Sequence, residues 1–102
     1  MNGAVYSLAD ALGASPAPGN LAAEIAKFPG LDVEFYQPEG EDRQTPHERD
    51  ELYVIARGSG MFELAGERRA VSTGDVIYVA AHAVHRFVEF SGDFAAWVVF
   101  WP

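Results

Sequence analysis

From about residue 31 onward the chain alternates between apolar and polar positions with a period of two. In a predicted strand over Leu31–Gln37, Val33, Phe35 and Gln37 share one face, and Asp32, Glu34 and Tyr36 share the other. Further strands are predicted over Glu51–Arg57, Met61–Ala65, Arg68–Val71, Val76–Ala80, Arg86–Phe90 and Phe94–Trp101. Between them lie turn signals: a hairpin turn at Gly58-Ser59-Gly60, a turn near Gly66-Glu67, Ser72–Asp75, a corner at His82–His85, and Ser91-Gly92-Asp93. About seven short strands at this spacing predict a sandwich or small barrel. The last predicted strand, Phe94–Trp101, is apolar on both faces. It must be covered on both sides, by a second layer or by another subunit.

The N-terminal part reads differently. Val5, Leu8, Ala9 and Leu12 have helical spacing, so a short helix is predicted from about Val5 to Leu12, with Gly13 closing it. Pro16, Pro18 and Gly19 make Ala14–Gly19 a linker. Asn20–Phe28 fits either a helix, from its alanines, or an edge strand ended by Pro29-Gly30. Residues 1–19 are thus read as helix and linker, and 20–102 as one barrel domain.

A chain of 102 residues supports a single core. A net charge of −8 argues against nucleic acid and against an anionic membrane surface, because no basic stripe exists to meet phosphates. The absence of cysteine excludes disulfides, thiolate ligands and cysteine nucleophiles. No secretory signal is visible, and no apolar run approaches the roughly 18 residues of a membrane span. A cytoplasmic protein is expected.

Candidate chemistry is concentrated in two segments, Thr45–Glu51 and Gly74–His85, which hold all three histidines. His47, Glu51 and His85 are the parts of a two-histidine, one-carboxylate site for a divalent ion. If Glu51 points inward, Tyr53 and Ile55 do too, and a carboxylate among apolar side chains needs a compensating charge. The alternative is that Glu51 pairs with Arg49 or Arg86 at a barrel rim while the histidines cap loops. His82, in a corner, is read as a turn residue or a fourth ligand. Tyr53 is the leading pocket residue because it neighbours Glu51. Tyr36, Phe62, Phe87 and Trp97 are pocket or core aromatics. Arg49 and Arg86 are surface arginines or anchors for an anionic substrate. Neither a phosphate-binding glycine loop nor a Gly-x-Ser-x-Gly nucleophile elbow is present.

These residues resemble the cupin superfamily, in particular a small single-domain cupin. Gly40 leads, His47 precedes Glu51, and Gly58 closes the first motif; Gly74-Asp75 opens the second, which ends at His85. The two motifs span Gly40 to Phe87. The resemblance implies an all-β double-stranded β-helix, a jelly-roll barrel, with a short N-terminal helix, and it implies His47, Glu51 and His85 as metal ligands. The chain departs from the family pattern at three places. Thr45 stands where a ligand histidine is usual, Ala80 where a proline is, and His82 where a glycine is. Water, Gln44 or His82 is left to fill the fourth position.

Three functions follow as expectations. The first is a cupin holding one divalent ion (Fe, Mn, Ni or Zn) and binding or transforming a small molecule, by dioxygenase or isomerase-like chemistry if it is an enzyme. The second is a metal-free binding or sensing domain in which Glu51, Tyr53 and Arg86 recognise a polar ligand. The third is a structural dimer module. A homodimer is expected in each case from the apolar final strand.

Overall fold

Alternating polarity becomes alternating burial. In the strand Asp50–Arg57, Glu51, Tyr53 and Ile55 are buried, while Leu52, Val54 and Ala56 are half-buried on the opposite face. The computed structural model describes residues 2–102. Among them it contains one helix, α1 (Leu8–Leu12), and eight strands. The strands are β1 (Ala23–Phe28), β2 (Leu31–Tyr36), β3 (Asp50–Arg57), β4 (Ser59–Leu64), β5 (Glu67–Ser72), β6 (Val76–Val79), β7 (His85–Val88) and β8 (Ala95–Trp101).

They form a five-stranded sheet in the order β1-β2-β8-β3-β6 and a three-stranded sheet in the order β5-β4-β7. Every pairing is antiparallel. This is the expected all-β jelly roll with its short helix. The core between the sheets is aromatic: Tyr53, Phe62 and Phe94 pack around Phe87, with ring centroids 5.0, 5.1 and 4.7 Å from it. A second cluster lies on the outer face of the larger sheet, where Ala11 of α1 packs over Phe35 and Ala95, joined by Leu8, Leu12 and Trp97. No helix among the described residues is long and apolar enough to cross a membrane.

Several local expectations change. The helix starts at Leu8, not Val5, because the Ser7 hydroxyl accepts the Asp10 amide at 3.0 Å and caps it there. Val5 is left 90% exposed. Asn20–Phe28 resolves to an edge strand over Ala23–Phe28. Gly58-Ser59-Gly60 is not a hairpin turn. β3 and β4 belong to different sheets, so the chain crosses between layers at this point. The crossing is tight: Gly58 has φ +76°, and a Cβ there would fall 2.2 Å from Ser91 Oγ and 3.1 Å from Phe94 Cα. β4 therefore begins at Ser59, two residues earlier than the sequence predicts. The second-motif strand starts at His85, not Arg86.

Candidate metal centre

β3 carries Glu51 in the larger sheet, β7 opens with His85 in the smaller one, and His47 sits in the loop leading into β3. Two contacts hold that loop against the β6–β7 corner. The His82 amide donates to the His47 carbonyl at 2.6 Å, and the Ala81 amide donates to Asp50 Oδ1 at 2.9 Å. The His47 ring then packs edge-on against Phe100 and against His85, with centroids 5.0 Å away in each case.

The result is convergence on one oxygen. His47 Nε2 lies 2.7 Å and His85 Nε2 3.0 Å from Glu51 Oε1. The ligand atoms of the three residues all lie within 4.8 Å of one another. Glu51 is fully buried, and its Oε2 is a buried oxygen with no hydrogen-bond partner.

The other ring nitrogens settle the tautomers. His47 Nδ1 is 2.8 Å from the Arg49 carbonyl, and His85 Nδ1 is 2.8 Å from the Ala83 carbonyl. A carbonyl only accepts, so both Nδ1 atoms carry the hydrogen. In a neutral ring that leaves a lone pair on Nε2, aimed at a carboxylate oxygen. Two lone pairs against an anion repel. The arrangement is favourable only if protons or a cation sit among the three donors. Donors held side by side on one ion at about 2.1 Å are about 3 Å apart, which matches the two histidine–carboxylate distances, 2.7 and 3.0 Å. The donor set therefore fits a divalent metal ion. Burial pushes the His85 pKa down, but hydrogen bonds to Glu51 and the Ala83 carbonyl, with the Glu51 charge, outweigh it and leave the pKa raised.

A layer of hydrogen bonds behind the triad was not foreseen from the sequence. Asp42, buried, accepts from Tyr36 Oη (2.5 Å), the Gln44 amide (3.0 Å), Gln44 Nε2 (2.9 Å) and the Phe87 amide (2.7 Å). Gln44 Oε1 in turn accepts from Tyr53 Oη at 2.5 Å, and Tyr53 Oη lies 3.2 Å from His85 Nε2. Burial, then the charge and hydrogen bonding of Glu51, raise the Tyr53 pKa well above its ordinary value, so the phenol stays a donor. Burial and the Asp42 contact raise Tyr36 as well.

A cavity of about 490 Å³ opens beside the triad, lined by His47, Glu51, Tyr36, Gln44, Thr45 and Phe100 among others. The structure thus brings together His47, Glu51 and His85, with Tyr53 and Gln44 next to them. Thr45 is exposed at the cavity wall. The Gln44 amide is engaged at both ends, by Asp42 and by Tyr53. His82 is exposed at its corner with φ +70° and lies outside the cluster. Arg49 reaches the other way, to Asp32 Oδ2 at 2.6 Å and the Phe100 carbonyl at 3.2 Å. Arg86 is exposed and binds Glu63 at 3.2 Å. Neither arginine pairs with Glu51. Phe62 is core, its ring centroid 6.1 Å from that of His85. Trp97 lies on the outer face against Phe35, beneath α1, and is not a pocket residue.

The sequence profile of the cupin domain family matches residues 33–101. The chain belongs to the cupin family. An uncharacterized protein of Streptomyces coelicolor is 38% identical over 61 residues, spanning 60% of this cupin and 58% of that relative. Among solved structures, a Cupin 2 conserved barrel domain protein from Salinispora arenicola superposes with a TM-score of 0.72 at 18% identity, covering 99% of this cupin and 91% of that chain. KdgF from Halomonas sp. superposes with a TM-score of 0.71 at 25% identity, covering 86% and 83%.

Proposed function

We propose that this cupin binds one divalent metal ion through His47, Glu51 and His85 and presents it to a small molecule in the adjoining cavity. The observation that carries the proposal is the fixed tautomer pair: both Nε2 lone pairs converge on one buried carboxylate oxygen. Three protein donors leave positions open for water or ligand. A bound ion would supply Lewis acidity or, as Fe(II), a place for O₂. The donors do not choose among Fe, Mn, Ni and Zn. The protein's own contribution is orientation: the two carbonyls hold the imidazoles, and Asp42, Gln44 and Tyr53 hold the floor behind them.

The test is the sign of a pH slope. A raised His85 pKa stabilises the metal-free protein fully below the ordinary value of 6.5, and that stability is lost as pH rises through the folded value. Metal binding needs Nε2 unprotonated, so metal-derived stability grows over the same range. Thermal unfolding from about pH 5.5 to 8.5 should show Tm falling with pH in chelator and rising with pH in excess Mn²⁺. At 100-fold excess over Kd the ion should add about 2.7 kcal/mol. Parallel curves would replace this reading with a metal-free cupin that binds its ligand in the same cavity.

The assembly is proposed to be a homodimer that buries the outer face of the larger sheet. Leu52, Val54, Val99 and Trp101 lie on that face beside Tyr78 and Val76, which are 55% and 63% exposed. α1 covers only the Phe35–Ala95 end. Light scattering should give twice the monomer mass, and Val76→Glu should give the monomer. A monomer at micromolar concentration in the unsubstituted protein removes this proposal.

A further inference from the structure

The wall of the cavity opposite the triad is acidic. Glu24 of β1 and Glu34 of β2 are direct cross-strand partners, and both line the cavity that Glu51 closes from β3. Like charges placed opposite each other on neighbouring strands cost stability. No ion pair offsets the cost here: among the described residues no lysine or arginine lies within salt-bridge distance of either carboxylate and none lines the cavity, and only the more distant charge of Arg49 acts the other way on Glu34. The basic groups near this sheet are taken. Arg49 is held by Asp32 at 2.6 Å, and Lys27 is 4.0 Å from the same aspartate. The crowding registers on Glu34, whose pKa is raised by burial and then by Asp32, Glu51 and Glu24. Independently, Glu51 carries a buried oxygen with no partner.

The rest of the wall is apolar. Val98, the cross-strand partner of Glu34, and Phe100, the cross-strand partner of Glu51, run between the two acidic positions, with Leu21 at the side. β2 and β3 flank β8, and their partners Val98 and Phe100 are two residues apart along it, so Glu34 and Glu51 stand about 12 Å apart at the backbone. A short aliphatic stem lies naturally along Val98 and Phe100, with one end at the Glu24–Glu34 pair and the other at the triad.

We propose that this cavity is selective for a small organic ammonium ligand, its cationic head held between Glu24 and Glu34 and its stem along Val98 and Phe100. The proposal rests on reading the cavity as the ligand chamber of the metal site, and it gives that chamber a substrate class. Anionic substrates are disfavoured, since the two arginines that sequence position suggested for them point elsewhere.

The probes are 1-butylamine, 1-butanol and butyrate, matched in length and differing in head charge. They are titrated calorimetrically into the full chain in chelator, where no ion can hold the carboxylate. The amine should bind at least about tenfold more tightly than either other probe. In Glu24→Gln/Glu34→Gln the gap should shrink to about threefold or less. The same double substitution should raise the Tm of the metal-free protein, because it removes the repulsion; a merely structural pair would not lower amine affinity while raising Tm. Glu24→Gln alone, at an exposed position, serves if the double variant does not fold. Equal affinities, a preference for butyrate, no measurable amine binding at about 50 mM, or a preference unchanged in the variants each overturn the proposal. So does a second equivalent of Mn²⁺, lost in the double variant, with no amine bound. Mn²⁺ titration separates this from the metal reading. The double variant should keep one equivalent at the triad, and an unsubstituted protein that binds no Mn²⁺ but prefers the amine refutes the metal site alone.

Discussion

Glu51→Gln is expected to lower divalent-ion affinity by at least about 100-fold while leaving the metal-free protein folded. The substitution keeps the shape and removes the anionic donor on which both imidazoles converge. Glu51 is fully buried, so its charge is costly when no cation is bound. The metal-free variant should therefore be no less stable than the parent near neutral pH. His85 loses the hydrogen bond and the charge that raise its pKa, so the fall in metal-free Tm with pH should flatten. Calorimetric titration with Mn²⁺ gives the affinity, and thermal unfolding in chelator gives the slope. Affinity within about threefold of the parent would mean that Glu51 is not a ligand.

The second large effect belongs to Asp42. Asp42→Ala should cost about 3–4 kcal/mol in denaturant unfolding, because it deletes the acceptor for four hydrogen bonds and leaves the buried Tyr36 hydroxyl and Phe87 amide without their partner. Asp42→Asn should cost less, about 2 kcal/mol, since an amide oxygen still serves part of the set. Metal affinity should fall too, by about tenfold, because Gln44 no longer fixes Tyr53 beside His85. A cost below about 1 kcal/mol for the alanine variant would show that water replaces the carboxylate readily.

The contrast between these two residues shows what could be read from the chain. Glu51 was legible because alternation with Tyr53 and Ile55 marks one face as inward, and a carboxylate on that face is a contradiction needing a reason. Asp42 was not. It lies in a polar, turn-rich stretch, Pro38–Pro46, where an aspartate reads as solvated, and its partners Tyr36 and Phe87 come from strands in different sheets. Arg86 and Arg49 misled for a geometric reason. Arg86 adjoins His85 in sequence, but successive residues of a strand point to opposite faces, so proximity to an inward ligand implies an outward neighbour. Trp97 could not be placed because β8 is apolar on both sides and no polar residue marks its inner face; Val98 turned out to be the inward one. The Gly58–Gly60 stretch carries the composition of a hairpin, but close packing of Gly58 against Ser91, Asp93 and Phe94, and of Gly60 against Phe90, requires the same glycines for a crossing between layers.

The position of β8 between β2 and β3 has a consequence for how the protein is made. Synthesis proceeds from the N-terminal side, so β2 and β3 exist well before the strand that joins them. Until residues 95–101 leave the ribosome, both wait with open backbone edges and apolar side chains, the condition in which chains associate wrongly. The His47–Glu51–His85 triad waits as well: Phe100, the wall against which His47 packs, is on that same strand. A nascent chain thus has His47 and Glu51 near each other in sequence before the site between the sheets is formed, so an ion bound at the proposed site would require β8 to be in place.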